Sequence, residues 1–200
     1  MDTPERRVVV DSKKRIFKDF FWIEEAFVRY ERFDGQMSES VRRLSFERGD
    51  AAAAVIEERE TGDVLLVEQF RYPTFGKGPG WLVETVAGIV EDGEDPEVTV
   101  RREVLEETGF QVRDVELIAT FYPSPGGSSE RIFLYHVEVS ASDRVAEGGG
   151  VGDEHEDIRL VRIARNDLAE AITSQRFSDA KTIIGLQWLL SRPPSGSSYW

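Results

Sequence analysis

Three glutamates share one face of a helix that is predicted for residues 96–108, and this feature most narrows what the chain can fold into. Asp95 suits the N-cap of that helix, Pro96 its first position and Gly109 the residue just past its end. The glutamates follow one another at positions i, i+3 and i+4, where like charges repel by about 0.2–0.5 kcal/mol per pair. They are Glu103, Glu106 and Glu107.

A cation between these carboxylates would relieve their repulsion. Ligand sets made only of oxygen suit hard ions, so the pattern favours Mg²⁺ or Mn²⁺ over zinc or copper. Arg102 directly precedes the cluster and is placed to orient one of its carboxylates. Val98 and Leu105 stand on roughly the opposite side and are predicted to enter the core. A solvated acidic helix face remains the alternative interpretation of these residues alone.

Composition and charge favour a globular protein and exclude several classes of function. The chain has 200 residues, 40% of them hydrophobic, which suffices for one good-sized domain or a domain with a small appendage. The absence of cysteine excludes disulfides and thiolate sites, and only 2 His argue against a histidine-rich zinc site. A net charge of −13 opposes nonspecific binding to nucleic acid or anionic lipid. Without a long apolar run or an apolar N-terminal signal, we expect a soluble cytoplasmic protein that does not bind membranes.

Two regions and a tail are predicted along the chain. Residues 1–50 favour an antiparallel β-meander, because Asp34-Gly35 between β-prone runs is a strong hairpin signal. Residues 51–191 are predicted to form a mixed domain, and residues 192–200 a flexible tail. The strands expected in the mixed domain cover residues 51–56, 64–70, 81–87, 115–122, 131–139 and 158–163.

Two further helices and one unusual loop complete this pattern. One helix is predicted to start at Asn166 or Asp167 and to end at Ile172, and another to be capped by Ser178 and to run to Leu190. Residues 141–157 are a Gly-rich acidic loop, and loops this long without structure of their own are usually functional or disordered.

The spacing of residues 88–110 resembles the Nudix box. Gly88 is followed after five residues by Glu94 and after seven more by Arg102-Glu103, and all fixed positions of the box are matched. At background frequencies near 6–7% per residue, a chance match is below roughly one in a million. The resemblance implies an α+β fold, the Nudix α/β/α sandwich with a mixed sheet, here preceded by the N-terminal antiparallel β-meander.

The resemblance also implies chemistry and metal ligands. Nudix proteins hydrolyse nucleoside diphosphates linked to another group, with Mg²⁺ or Mn²⁺ held on the box glutamates. By position, Glu103 and Glu107 would be the principal ligands and Glu106 a further one. The backbone carbonyl of Ala87 would add another. Such ions neutralise phosphate oxygens and lower the pKa of an attacking water.

Segments outside the box are similar to bacterial ADP-ribose pyrophosphatases. They are FDGQMSESVRRLSFERG at 33–49, VEQFRY at 67–72, WLVETVAG at 81–88, SPGGSSER at 124–131, DEHEDIRL at 153–160 and AKTIIGLQWLL at 180–190. In that subfamily the meander exchanges across a two-fold homodimer and completes the substrate site of the partner. The implied reaction converts ADP-ribose to AMP and ribose 5-phosphate.

The same likeness implies substrate-binding residues. Phe20 and Phe21 would lie beside the adenine, where aromatic stacking suits a flat base. Arg43 and Arg48 would come from the partner subunit, and Arg71 would hold phosphate. Simple core packing for the phenylalanines and strand-edge salt bridges for the arginines are the alternatives. Two more positions would contact the sugar or phosphate region of the substrate. They are Ser124 and Glu130.

The acidic loop acquires a role from the likeness as well. Glu154 matches a glutamate that acts as general base for the attacking water, and Glu156 matches one that can join the metal ions. Gly148–Gly152 would supply the mobility that loop closure needs. His155 lies between the two glutamates, but no motif position supports a role for it.

Other functions stay open from the sequence. GDP-mannose hydrolases also carry an SPGG loop and a GGGV-like acidic loop, so a GDP-mannose or other nucleoside diphosphate sugar hydrolase is the main alternative. Leu44 stands where some relatives carry an acidic residue that could touch the base, which weakens any inference on adenine selectivity. A non-catalytic nucleotide-sugar sensor is the alternative from another class, but such proteins usually lose box glutamates.

Overall fold

The computed structural model describes residues 5–151 and 157–192, which form two units. Described residues up to 49, together with 124–130, form the first unit, and all other described residues form the second.

The first unit is built on a three-stranded antiparallel sheet. Its strands are β1 (Val8–Lys18), β2 (Trp22–Tyr30) and β3 (Val41–Glu47), in that order across the sheet. This confirms the predicted antiparallel sheet at the N-terminus. The turn expected at Asp34-Gly35 lies in the β2–β3 connection, and Gly35 adopts φ of +79° there. Residues 124–130 join this unit through the Phe46 N–H, which donates to the Gly127 carbonyl at 2.8 Å.

The described residues of the second unit form the predicted mixed sheet, which has seven strands rather than the six expected. Its path runs β10–β5–β4–β9–β8, with β6 added to β5 and β7 added to β4. Only β4 and β9 pair in parallel among these strands of the described chain. The strands are β4 (Ala51–Glu58), β5 (Val64–Phe70), β6 (Trp81–Glu84), β7 (Val86–Ile89), β8 (Glu116–Phe121), β9 (Ile132–Val139) and β10 (Arg159–Ile163).

The single strand predicted for residues 81–87 is wrong, because this segment forms β6 and β7. β6 pairs with β5, whereas β7 pairs with β4. The break falls at Thr85, whose buried N–H donates to the Thr182 hydroxyl at 2.8 Å instead of joining a strand ladder. The chain therefore changes its partner strand just before Ala87 and Gly88.

Four α-helices accompany the sheet in the part of the chain that the structure describes. They are α1 (Tyr72–Phe75), α2 (Pro96–Thr108), α3 (Leu168–Thr173) and α4 (Ala180–Leu190). The predicted ends of α2 are confirmed, since Asp95 accepts from the Glu97 N–H at 3.0 Å and Gly109 has φ of +79°. None of the helices in the described ranges is long and apolar enough to cross a membrane.

The starts of two predicted helices can be compared with the structure. Residues 165–167 form a 3₁₀ turn, and α3 begins at Leu168 with Asp167, one of its two predicted starts, as the N-cap. The N-cap of α4 is Asp179 rather than Ser178, and its carboxylate accepts from the Thr182 N–H at 2.9 Å and from the Thr182 hydroxyl at 2.6 Å. A carboxylate that satisfies two donors is the stronger cap.

Alternation along β4 divides the core between two faces of the sheet. Ala52, Ala54 and Ile56 pack in one cluster with Val100 and Val104 of α2. The odd-numbered side chains of β4 belong to a second cluster, which α3 and α4 cover. Successive side chains of a strand point to opposite faces, so this buried strand is the middle layer of an α/β/α sandwich.

The prediction that Val98 enters the core is wrong. Val98 is 53% exposed, and Leu105 is only half-buried. The side of α2 that faces the sheet instead carries Val100 and Val104, spaced i, i+4. Glu107 is also buried on this helix, and a stripe that includes a glutamate escapes detection by hydrophobic periodicity.

Val104 and Val98 offer a matched test of this orientation. Val104→Ala is expected to lower the free energy of unfolding by about 2 kcal/mol, because it removes buried methyl groups and leaves a cavity. Val98→Ala on the same helix should change it by less than about 0.5 kcal/mol. Urea unfolding followed by circular dichroism measures both, and equal losses would contradict the helix orientation.

Candidate active site

Strand β7 and helix α2 bring the first predicted site residues together. Ala87 and Gly88 lie in β7, opposite Ala53 and Ala52 of β4. The carboxylate of Glu103 lies directly over Gly88, where an added Cβ would stand 1.9 Å from Oε1 of Glu103. Only a glycine leaves this space, so Gly88 allows Glu103 to lie against the backbone of β7 beside Ala87.

The three glutamates of α2 differ in burial along one face. The side chain of Glu106 is one-third exposed, that of Glu103 is mostly buried, and Glu107 is 2% exposed. Burying a carboxylate is costly unless its charge is compensated, so the two more buried glutamates call for a nearby cation. A set of carboxylate oxygens suits a hard divalent ion. The donor set therefore fits Mg²⁺ or Mn²⁺, and the role of each glutamate as a ligand stays a prediction.

Arg102 lies among the acidic groups, as the sequence predicted. Its Nη1 donates to Glu103 at 2.6 Å and to Glu106 at 3.3 Å, and its Nη2 lies 3.7 Å from Glu94. Partial burial lowers the pKa of the Arg102 guanidinium, but the three carboxylates outweigh this effect and raise its pKa. One positive charge is thus shared by three negative ones, which leaves this helix face acidic.

Glu94 fixes the loop that leads into α2. The Thr99 hydroxyl donates to Glu94 at 2.6 Å, and the Glu91 N–H donates at 3.3 Å. The hydrogen bond from Thr99 is the main reason that the pKa of Glu94 is lowered, so this carboxylate stays ionised. Glu94 thus holds the loop before α2 and pairs with Arg102, so its role in residues 88–110 is structural.

The glycine run of the acidic loop packs against the end of α2. The N–H groups of Gly149 and Gly150 donate to the carbonyls of Glu107 and Glu106 at 2.9 and 3.1 Å. An added Cβ on Gly148 would stand 2.6 Å from the Thr108 carbonyl carbon, so a close approach requires glycine here. Sequence reasoning predicted mobility for Gly148–Gly152 and missed this anchoring. Residues 152–156, which include Glu154, His155 and Glu156, lie outside the described residues.

Arg71 belongs to a buried charge network that the sequence did not predict. Its Nε donates to Glu84 at 2.7 Å, and Lys181 of α4 donates to the other oxygen of Glu84. Asp179 holds Lys181 at 3.0 Å. Because Glu84 is almost fully buried, it fixes Arg71 and Lys181 rather than moving with them. No local sequence pattern marks this network, because Arg71, Glu84 and Lys181 meet only in the folded chain.

The predicted base-binding residues lie in the first unit. Phe20 is 77% exposed, whereas Phe21 lies between Phe17 and Phe46 with ring centroids at 5.7 and 4.6 Å. Phe21 is thus part of an aromatic cluster, and Phe20 presents its ring to solvent. Arg43 is exposed, and its Nη1 donates to the Arg42 carbonyl at 3.1 Å.

Two further predicted residues meet within the first unit. Arg48 pairs with Glu130 at 3.6 Å, where Glu130 is the better buried partner. Ser124 is exposed, and its carbonyl accepts from the N–H groups of Gly127 and Ser128 at 3.1 and 3.0 Å. This turn shapes the SPGG segment, and substrate binding by Arg48, Ser124 and Glu130 stays a prediction.

The described residues contain a second group that could hold a metal ion, which the sequence did not reveal. Glu57, His136 and Glu138 each place one donor atom within 4.8 Å of the other two. Sequence reasoning missed this group because its members are separated by nearly 80 residues and meet only through the pairing of β4 with β9.

A mixed sheet between helices, with an acidic helix beside β7, is the architecture of a metal-dependent pyrophosphohydrolase. The chain belongs to the Nudix family, since the NUDIX domain matches residues 47–181. The chain is 36% identical over 184 residues to the ADP-ribose pyrophosphatase of Escherichia coli (strain K12), which covers 91% of this chain and 87% of that protein. It is 35% identical over 181 residues to the GDP-mannose pyrophosphatase of Cronobacter sakazakii (strain ATCC BAA-894), over 90% of this chain and 93% of that protein.

A solved structure supports the fold. The crystal structure of an ADP compounds hydrolase is similar with a TM-score of 0.70, covering 95% of this chain and 96% of that one. The two share 17% sequence identity, so this likeness speaks for the fold alone. The predicted Nudix sandwich is confirmed.

Gly88→Ala tests the contact that shapes the acidic face. The new Cβ would displace the Glu103 carboxylate, and a shift of about 1 Å in a catalytic group can cost 100-fold in rate. We therefore expect kcat for hydrolysis of the pyrophosphate bond in the nucleotide substrate to fall about 100-fold. Gly76→Ala is the matched control, because no atom lies within 4 Å of its added Cβ. If Gly88→Ala folds and keeps wild-type kcat, the position of Glu103 does not matter for catalysis.

Proposed function

We propose that this enzyme hydrolyses the pyrophosphate bond of ADP-ribose to AMP and ribose 5-phosphate in the cytoplasm. The observation that carries the proposal is the carboxylate face of α2, with Glu103 seated over Gly88 and Glu107 buried beside it. The ADP-ribose pyrophosphatases that resemble the chain over 91% of its length support the choice of substrate.

Glu103, Glu106 and Glu107, with the carbonyl of Ala87, would hold Mg²⁺, for which Mn²⁺ can substitute. When bound, such an ion neutralises phosphate oxygens and lowers the pKa of the attacking water. Arg102 orients Glu103 and Glu106 through its two hydrogen bonds. We assign a further metal contact to Glu156.

Arg71 would bind a phosphate of the substrate by charge-assisted hydrogen bonds. Its Nε is occupied by Glu84, which leaves the two terminal nitrogens of the guanidinium as the donors for phosphate. Glu84 and Lys181 act as positioning residues, because they fix the plane of this guanidinium. A held guanidinium loses less side-chain entropy when it binds phosphate.

Glu154 would accept a proton from the attacking water. The N–H groups of Gly149 and Gly150 attach the chain just before this segment to the end of α2. The carbonyls that accept these hydrogen bonds belong to Glu107 and Glu106, two of the three glutamates of the acidic face. This anchoring supports Glu154 as the general base and Glu156 as a ligand.

We also propose substrate contacts for residues of the first unit. We assign Phe20 and Phe21 to the adenine, since Phe20 presents an exposed ring and Phe21 belongs to a packed aromatic cluster. Arg43 and Arg48 would contact the substrate bound by the partner subunit. Ser124 and Glu130 would contact its sugar or phosphate region.

We further propose that the enzyme is a homodimer with shared active sites, in which residues 1–50 form the dimerisation region and 51–191 the hydrolase domain. β1 supports this proposal, because all its residues are exposed, including Val8, Val10, Ile16 and Phe17. Exposed apolar side chains grouped at both ends of a strand are costly in a monomer and typical of a surface that another chain covers.

A GDP-mannose hydrolase is the second candidate, and the 35% identity to GDP-mannose pyrophosphatases favours it. Both candidates share the acidic face of α2 and the same reaction. They differ in the base and sugar, which the first unit would bind.

A substrate panel separates the two candidates. We expect ADP-ribose to give the highest kcat/KM among ADP-ribose, GDP-mannose and UDP-glucose, with AMP and ribose 5-phosphate as products by chromatography. Glu107→Gln, which keeps shape but removes charge, should lower kcat 100-fold or more, or about 3 kcal/mol of transition-state stabilisation. A chelator should abolish turnover. Preference for GDP-mannose would favour the second candidate, and full activity in chelator would refute the metal assignment.

Subunit mixing tests the shared site. Arg48→Ala and Glu107→Gln homodimers should each be nearly inactive, because one lacks a partner contact and the other a metal ligand. After an equal mixture has exchanged subunits, about half of the dimers contain one chain of each variant. Such a dimer has one site with both Glu107 and Arg48 intact and one site with neither. About a quarter of wild-type activity should therefore return. Light scattering should give a mass near twice 22.7 kDa. Mixtures that stay inactive despite exchange would show that each chain builds its own site.

A further inference from the structure

We infer that Glu57, His136 and Glu138 form a second metal site, which takes a zinc-class divalent ion. Glu57 lies near the end of β4, and His136 and Glu138 lie on β9, its parallel neighbour. Glu57 pairs in register with Glu138, and His136 lies two residues before Glu138 on the same face. α4 covers this face, with the Trp188 ring 5.1 Å from the His136 ring.

The donor atoms lie at distances that suit a metal ion. Nε2 of His136 and Oε2 of Glu57 are 3.0 Å apart, and all three donors lie within 4.8 Å of one another. Tetrahedral zinc with bonds near 2.0 Å separates its ligands by about 3.3 Å. Two donors are therefore near their final positions, and a shift of at most about 1.5 Å in Glu138 would complete the set.

A carboxylate also lies on the side of His136 that faces away from the candidate ion. Nδ1 of His136 faces Glu116 at 3.8 Å, so one ring nitrogen faces a carboxylate and the other faces the candidate ion. Arg192 holds Glu116 at 2.6 Å. Metal-bound histidines usually present their second nitrogen to a carboxylate, which fixes the tautomer and the ring orientation.

Glu57 is held in the same manner. Arg165 binds its Oε1 at 2.8 Å and thereby leaves Oε2 directed at His136. Arg165 is itself fixed by the carbonyls of Leu189 and Arg192, each at 2.9 Å. Both Glu57 and His136 are more than nine-tenths buried, so the two donors are held rigidly.

Glu138 can join the site at little cost. It is partly exposed and pairs with Arg59 at 3.5 Å, and the Arg59 side chain is largely exposed. Surface pairs of this kind contribute about 0–1 kcal/mol, so exchanging Arg59 for a divalent ion is favourable. The group also opens into a cavity of about 810 Å³, which gives a fourth ligand position to water.

This site is separate from the acidic face of α2 in position and in chemistry. Glu57 lies four residues beyond Ala53, which pairs with Ala87, and four strand residues span about 13 Å. An imidazole nitrogen with carboxylates suits zinc, cobalt or nickel, whereas carboxylates alone suit Mg²⁺. The two sites should therefore take different ions from a mixture.

Cobalt absorption and zinc titration in excess Mg²⁺ test the inference on the intact protein. With Mg²⁺ filling the acidic face, we expect about one equivalent of Zn²⁺ per chain by calorimetry, and visible absorption bands of four-coordinate Co²⁺. His136→Gln and Glu138→Gln should each weaken zinc binding at least 100-fold, and Glu116→Gln about 10-fold, as for outer partners of metal ligands.

Matched variants decide which residues bind. His155→Gln removes the other histidine of the chain and should leave zinc affinity unchanged, as should Glu107→Gln on α2. If His136→Gln does not fold by circular dichroism, Glu138→Gln at the exposed edge of the group decides alone. Wild-type protein that binds no zinc in excess Mg²⁺ would overturn the site, and so would zinc binding that survives Glu138→Gln or is lost in Glu107→Gln.

Discussion

The small side chains of β4 set the distance between the sheet and α2, and the acidic site depends on that distance. Ala52 and Ala54 are fully buried on the face that α2 covers, and Ala52 pairs with Gly88. Alanine beside glycine makes this part of the sheet thin, so Glu103 can lie against the backbone of β7. A larger residue at position 52 or 88 would lift the helix and separate the carboxylates from the Ala87 carbonyl. The packing of α2 against the sheet thus decides where the carboxylates of the acidic site lie.

The same packing places three negative charges close together on α2. Glu103, Glu106 and Glu107 lie in the second half of α2, where the helix dipole disfavours negative charge. Arg102 compensates only part of this charge, because it pairs with Glu103 and Glu106 and is shared with Glu94 as well. The N–H groups of Gly149 and Gly150 satisfy carbonyls at the end of the helix. A divalent cation would relieve the remaining repulsion, so we expect the ion to stabilise the fold as well as the reaction.

Local patterns predicted most of the fold and the core of the site. The cap at Asp95, the glycine at 109 and the position of Arg102 follow from short-range rules, and the structure confirms them. The predicted strand over residues 81–87 failed because Thr182, nearly 100 residues away, takes the Thr85 N–H. Val98 was misplaced for a related reason, since the buried stripe of α2 includes a glutamate. Side chains that meet through tertiary contacts, such as Arg71 with Glu84 and Lys181, leave no local trace in the sequence.

The two ends of β4 show why one strand can serve two kinds of chemistry. Its first half is alanine and carries no side-chain donor atoms, so the side-chain ligands proposed for the acidic site all come from α2. Carboxylates on one helix face give oxygen donors only, and their long side chains adapt to an octahedral ion that keeps several waters. Its second half carries Glu57 beside the parallel strand β9, where register places His136 and Glu138 on the same face. Donors fixed on two paired strands adapt less than donors on one helix face. A rigid group that includes an imidazole nitrogen favours a smaller coordination number than the acidic face of α2 does. Ligand type and geometry together would therefore direct the zinc-class ion and Mg²⁺ to different sites.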